Sequence, residues 1–349
     1  MRLFITFSIV VLVQFCFGSC ASGIDRPFPE ANHGENKSSI KLASRIPLSS
    51  TKSLSFNFGF TSDNRLWNTV NWGEKDNQFS FSDDLGKTWT PVDVPLSVGT
   101  DSTIMFIDAM HGWATAGSKI LGTKDGGKSW LQIPLPDGSN INEIKGITFT
   151  NNEQGFIAGS ASRKIDRGSA EETHSMEILC TNDAGNDWSV CFQTNDFDLI
   201  YKIVSSENAV VGVLWETGIL RSQNHGATWE RKNLDFKIRD ITTDTEGKFW
   251  AIDHGPLIRH SNDSGNTWEI SRIENVDSGK LRWNSLTFGP DGRGVIVGDQ
   301  GEIALTFDRG DTWKLVEGLS IRENLWTVRM QNSYVAILGE KHLYVLRFE

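Results

Sequence analysis

The chain reads as an all-β, seven-bladed β-propeller, and three observations predict it. An eight-residue pattern, Ser/Thr-x-Asp-x-Gly-x-Thr/Ser-Trp, recurs six times. Its closing tryptophans, Trp89, Trp130, Trp188, Trp229, Trp268 and Trp313, follow one another at 41, 58, 41, 39 and 45 residues. A repeat of about 40 residues with about four strands per unit is propeller-like. Short alternating apolar runs of similar grammar fill each interval.

The copies read SDDLGKTW from Ser82, TKDGGKSW from Thr123, TNDAGNDW from Thr181, SQNHGATW from Ser222, SNDSGNTW from Ser261 and TFDRGDTW from Thr306. This is the Asp-box, or BNR repeat. Its third residue (Asp84, Asp125, Asp183, Asn224, Asp263, Asp308) accepts hydrogen bonds from backbone N–H groups of the turn, a task Asn also performs. Glycine at the fifth position supplies a positive φ. The tryptophan starts the return strand and buries a large apolar surface. A calcium loop is excluded, because no copy has the further carboxylates or closing Glu of an EF-hand. The boxes are therefore structural, and no metal or cofactor is expected.

Within each unit, runs such as Ile144 to Phe149 and Trp283 to Phe288 read as the inner strand a. Gly112 to Gly117, Gly155 to Gly159 and Gly294 to Gly298 read as strand b; strand c enters the box and strand d leaves it. After Trp313, Leu325 to Met330, Tyr334 to Leu338 and Leu343 to Phe348 supply three strands of a seventh blade. Ser39 to Ser44 is an unassigned alternating segment that would complete that blade and close the ring. Six blades is the alternative count.

Met1 to Ser19 has a positive n-region, an apolar stretch and then small residues, the pattern of a signal peptide rather than a membrane span. Phe17-Gly18-Ser19-Cys20 resembles a bacterial lipobox, which would make Cys20 the lipidated N-terminus; ordinary cleavage near Ala21 is the alternative. Ala21 after the cysteine points to the outer membrane of a Gram-negative host. The domain reading is signal 1–20, flexible tether 21–37 and propeller 38–349. The net charge of −10 argues against nucleic-acid binding, which needs a basic footprint. Cys180 and Cys191 fall on the two arms of one hairpin, so a cross-strand disulfide suits an oxidising compartment, with two buried thiols as the alternative.

The string from Gly294 to Trp313, in which the Gly-rich strand b runs into the box, resembles the photosystem II stability/assembly factor family of BNR-repeat propellers. The resemblance spans roughly residues 50–349 and implies a non-enzymatic assembly factor that binds a partner membrane protein. A second resemblance is to sialidases, through Arg45-Ile46-Pro47 ahead of the first box. It implies an arginine clamp on a substrate carboxylate, an Asp acid/base and a Tyr nucleophile activated by Glu, for which Tyr201, Tyr334 and Tyr344 are the candidates. Other polysaccharide-cleaving propellers complete the enzymatic alternatives, and a glycan is the alternative ligand.

Topology separates two faces. Box turns and a–b turns share the bottom, and d–a and b–c loops surround the channel mouth at the top, where ligands are expected. Aligning the inner strands on Ile147, Ile203, Ile241, Leu286 and Val328 puts Lys145, Tyr201, Arg239, Asn284 and Trp326 at one equivalent position. That ring is the candidate site for a peptide or anionic ligand, set against ordinary strand ends around a water-filled channel. The long interval after Trp130 comes from a polar insertion, Ser160 to His174, read as a mobile top-face loop. The expected protein is thus an exported, monomeric, lipid-anchored scaffold for an envelope or membrane protein.

Overall fold

In the computed structural model every described strand falls into one of seven antiparallel four-stranded sheets, six of which run outward in sequence order from an inner strand. The structure describes residues 39–48, 57–68, 79–94, 103–164, 172–195, 199–215, 218–273 and 281–349. The signal segment, Cys20 and the tether lie outside the described residues. Blades 1 to 6 take their strands from 58–92, 103–133, 143–194, 200–232, 238–271 and 283–315. Inner strands touch their neighbours in a closed circuit.

Blade 7 closes the ring. Leu325–Gln331, Tyr334–Gly339 and His342–Phe348 form its inner three strands, and Ile40–Pro47 pairs outside them, with Ile40 opposite Phe348 and Pro47 opposite His342. The N–H of Glu349 bonds to the Ser39 carbonyl at 2.9 Å, and Lys41 pairs with Glu349 at 2.6 Å. The closing strand thus runs three residues past the expected Ser44, through Arg45, Ile46 and Pro47.

Among the described residues seven apolar clusters each fill one interface between adjacent blades. Trp67, Phe79 and Phe81 of blade 1 pack against Ile104, Leu121 and Trp130 of blade 2, and Trp250 of blade 5 against Trp283, Leu286 and Trp313 of blade 6. The middle strands are therefore covered on both sheet faces, which is why Val210–Leu214 and Gly294–Gly298 are buried throughout.

The boxes explain how the interfaces lock. In the first, Asp84 accepts from Ser82 Oγ at 2.9 Å, Thr88 N at 2.8 Å and Thr88 Oγ1 at 2.7 Å, while Ser82 Oγ accepts the Gly86 N–H at 2.7 Å. Trp89 Nε1 donates to the Gly86 carbonyl at 2.9 Å. The fourth box residue also has positive φ, 60° at Leu85 and 59° at Arg309, so two left-handed residues follow one another. The fourth is glycine only in the second box, where a Cβ at Gly126 would lie 2.8 Å from the Ala109 carbonyl oxygen, whereas the fifth is glycine in all six. A Cβ at Gly310 (φ +86°) would lie 2.2 Å from Trp250 of blade 5, and one at Gly127 2.5 Å from Phe81 of blade 1. Each box glycine therefore seats its hairpin on the preceding blade. Cys180 and Cys191 are disulfide-bonded across strands c and d of blade 3, with Cα atoms 5.8 Å apart.

The insertion after Trp130 departs from expectation. Strands Gly155–Lys164 and Glu172–Thr181 continue as one antiparallel ribbon, from Gly155 opposite Thr181 to Lys164 opposite Glu172. The extra residues prolong the ladder that satisfies their backbone groups instead of forming a loop. Only 165–171 fall outside the described residues.

Candidate functional site

The inner strands of blades 3 to 7 each contain one β-bulge near their upper end. Register slips between Ile144 and Gly146, Ile200 and Lys202, Ile238 and Asp240, Trp283 and Ser285, and Leu325 and Thr327. The residue skipped in each case is Lys145, Tyr201, Arg239, Asn284 or Trp326. A bulge leaves its extra residue out of the ladder and re-aims its side chain. The ring read from the sequence is thus a ring of bulge residues. Pairing in blades 1 and 2 puts the equivalent positions at 56 and 102, outside the described residues.

All five line one central cavity of about 880 Å³. They are not equally available. The Tyr201 hydroxyl donates to the Ile238 carbonyl, and Asn284 Nδ2 to the Leu325 carbonyl at 2.9 Å and Asp299 at 2.8 Å. In both, the bulge side chain reaches the carbonyl just before the bulge of the next blade, an inter-blade staple. Lys145 pairs with Glu143. Arg239 makes no hydrogen bond or ion pair with the described residues. Trp326 is 38% exposed.

Neighbouring residues that the sequence reading missed extend this open part. Trp215, 62% exposed in the b–c loop of blade 4, meets Tyr201 edge to face at 6.1 Å, and Lys237 Nζ lies 5.3 Å from its ring centre. Its signal was a tryptophan outside any box, directly after a strand b. Burial and then the charges of Arg239 and Lys237 push the His254 pKa down, so these cations share one local field at the mouth.

Below the ring lies a second charged group. Lys202 and Asp240, each one residue past a bulge, form an ion pair between blades 4 and 5. Asp240 also accepts from Ile241 N at 3.0 Å, Ser285 Oγ at 2.8 Å and Leu286 N at 3.1 Å. Burial opposes its charged form, but the charge and hydrogen bond of Lys202, with the charge of Arg329, outweigh it and hold the carboxyl below its ordinary value. Charged residues just past the bulges of otherwise apolar strands were the available signal. The cavity lining thus includes four cations, Lys145, Lys202, Arg239 and Arg329, against one carboxylate, Asp240. In a chain of net charge −10 this is a local inversion of sign.

Of the residues of the sialidase resemblance, Tyr201 belongs to the ring, and Arg45 and Tyr344 stand elsewhere. Arg45 is on the outermost strand of blade 7, 5.6 Å from the Tyr344 ring centre. The Tyr344 hydroxyl is buried and donates to Glu323, which also accepts from His342 Nδ1 at 2.7 Å. Burial and Glu323 push the Tyr344 pKa up to about 12, the opposite of an activated nucleophile. Burial and Asp240 likewise push Tyr201 up. Among the described residues no His/Cys/Asp/Glu group is arranged to hold a metal ion.

No family model matches the chain. A photosystem II assembly lipoprotein, Ycf48, of Synechococcus sp. (strain CC9902) is 22% identical over 280 residues, covering 68% of this chain and 82% of that protein. Among solved structures, "YCF48 bound to D1 peptide" superposes with a TM-score of 0.62 at 18% identity, covering 90% of this chain and 96% of that one. A streptogramin B lyase superposes with a TM-score of 0.64 at 16% identity, covering 89% and 98%. The resemblance to the assembly-factor propellers read from the repeat is borne out. The structural likenesses establish the seven-bladed propeller fold, which a lyase shares.

Proposed function

We propose that this protein is a protein-binding propeller, a scaffold or assembly factor that grips an acidic segment of its partner across the top-face channel mouth. The observation that carries the reading is the excess of cations lining the cavity, together with the open side chains Arg239, Trp326 and Trp215 at its rim. Guanidinium and ammonium groups attract a partner's carboxylates, and exposed tryptophans add area with little entropy to lose on binding. The relative solved with a D1 peptide supports a protein ligand on this fold. The related lipoprotein supports anchorage through Cys20, with the propeller acting outside the cytoplasm.

The test is capture of the partner from the host's own membrane fraction by the wild type and an Arg239→Ala/Trp326→Ala variant. Removing a charged contact and an aromatic anchor is expected to weaken capture by about 100-fold. Capture at wild-type strength by the correctly folded variant would refute the site.

A further inference from the structure

The Lys202–Asp240 pair links blades 4 and 5, and Asp240 links blade 5 to blade 6 through Ser285 and the Leu286 N–H. These contacts explain why Lys202 and Asp240 are there. They leave Arg329 unexplained. It lies on the inner strand of blade 7, three residues below the Trp326 bulge, and its side chain's one hydrogen bond among the described residues goes to the carbonyl of Val328 on its own strand, at 2.9 Å. Among the described residues it makes no hydrogen bond or ion pair to another blade, and only its charge reaches Asp240 of blade 5. Asp240 has both oxygens filled by Lys202, Ile241, Ser285 and Leu286, so it offers Arg329 charge but no free acceptor. Lys202 is already neutralised by the same carboxylate. The waist of the channel is therefore lined by two half-buried cations and one saturated anion, which leaves the Arg329 guanidinium with donors and no carboxylate oxygen to receive them.

From this arrangement we propose that the channel waist is a binding site for a small oxyanion, a carboxylate or a tetrahedral inorganic anion, held by Arg329 with Lys202. Guanidinium presents a planar fork of donors that fits two oxygens of such an anion, and a lysine supplies a point charge beside it. Thr242, Thr287 and Thr327 line the same cavity and add hydroxyl groups to its wall. Desolvation lowers the pKa of both Lys202 and Arg329, and Asp240 only partly offsets it, consistent with an unmet demand for negative charge. None of its residues is a bulge residue; it shares the cavity whose cations support the partner-binding reading, but it requires only Arg329 and Lys202 and stands without a protein partner.

The test follows thermal unfolding of the purified protein titrated with acetate, inorganic phosphate and, at matched ionic strength, potassium chloride. Acetate or phosphate is expected to raise the unfolding temperature saturably where chloride does not, and the anion that does so identifies the ligand as carboxylate or tetrahedral. Arg329→Met should weaken that response at least about tenfold, and Arg45→Ala, on the outermost strand of blade 7, should leave it unchanged. Arg329→Lys, which keeps the charge but loses the fork, serves if the methionine variant does not fold, and it too should weaken the response. The proposal is overturned if neither anion acts beyond chloride, or if the Arg329 variants respond as the wild type does.

Discussion

At the bottom of the propeller the box residues find their partners within eight residues of one another, whereas at the top one equivalent position carries five different side chains with different fates. In the boxes, Asp84, Asp125, Asp263 and Asp308 each accept from both the N–H and the hydroxyl of the residue four positions on. Five box tryptophans bond to their glycine carbonyl; Trp313 Nε1, fully buried, is the exception. At the mouth, Tyr201 and Asn284 staple blades, Lys145 is paired within its strand, and Arg239 and Trp326 stay open. A repeated, self-satisfied region makes a frame; an unrepeated and incompletely satisfied one has donors and surface left for a ligand.

The strongest way to break the frame is at a box glycine. Gly310→Ala forces a side chain into positive φ and puts its Cβ 2.2 Å from Trp250, a buried residue of the adjacent blade. Strain and overpacking together should destabilise the protein by about 3 kcal/mol. Urea denaturation would measure it, and a loss below about 0.5 kcal/mol, the size of a typical surface change, would show that the hairpin does not rest on the neighbouring blade.

The top-face ring sharpens the contrast from inside. Asn284 and Arg239 occupy equivalent bulge positions, yet only Asn284 reaches the next blade. Asn284→Ala leaves the Leu325 carbonyl without that donor in a buried site and should cost about 1–2 kcal/mol. Arg239→Ala should change stability by less than about 0.5 kcal/mol. Equal losses for the two would mean that the division of the ring into staples and open residues is wrong.

The unequal legibility of the two ends has a physical cause. A box encodes its own turn: the acceptor, the left-handed glycine and the aromatic lid are all within eight residues, so six blades were readable at once. The closing strand was readable too, because blade 7 lacked one strand and Ser39 to Ser44 alternated. The five ring residues were found by alignment, but the bulges that aim them have no residue signature. The acceptors of Tyr201 and Asn284 lie 37 and 41 residues away, on the next blade. The Lys202–Asp240 pair spans 38 residues, and Arg329 joins it from two blades further on. Such partners depend on how the blades are rotated about the channel axis, which no local pattern states. The insertion was misread for a related reason: a polar stretch between two strands looks like a loop until its register shows that it prolongs them.

The smallest effect separates the boxes from one another. In blade 4 Asn224 replaces the aspartate: its Oδ1 accepts from Ser222 Oγ and Thr228 N, and its Nδ2 donates to Thr228 Oγ1 at 2.8 Å. The geometry survives without a charge, so that box has nothing to protonate. In blade 5 burial opposes the charge of Asp263, but the N–H and hydroxyl of Thr267 outweigh it and lower its pKa to about 2. A carboxyl depressed below its unfolded value of about 3.9 stabilises the fold above that pH and loses the contribution as pH falls through about 2. Asp263→Asn should therefore lie within about 0.5 kcal/mol of the wild type at neutral pH, because Asn224 shows that the amide fits. Between about pH 4 and pH 2 the wild type should lose more stability than the variant, and the gap between them should stop changing below the folded pKa. Thermal unfolding of both proteins from about pH 7 to about pH 1 reads this directly. Parallel curves over the whole range would mean that the hydrogen bonds of the box serve the aspartate and asparagine forms alike, and that its charge contributes nothing to the frame.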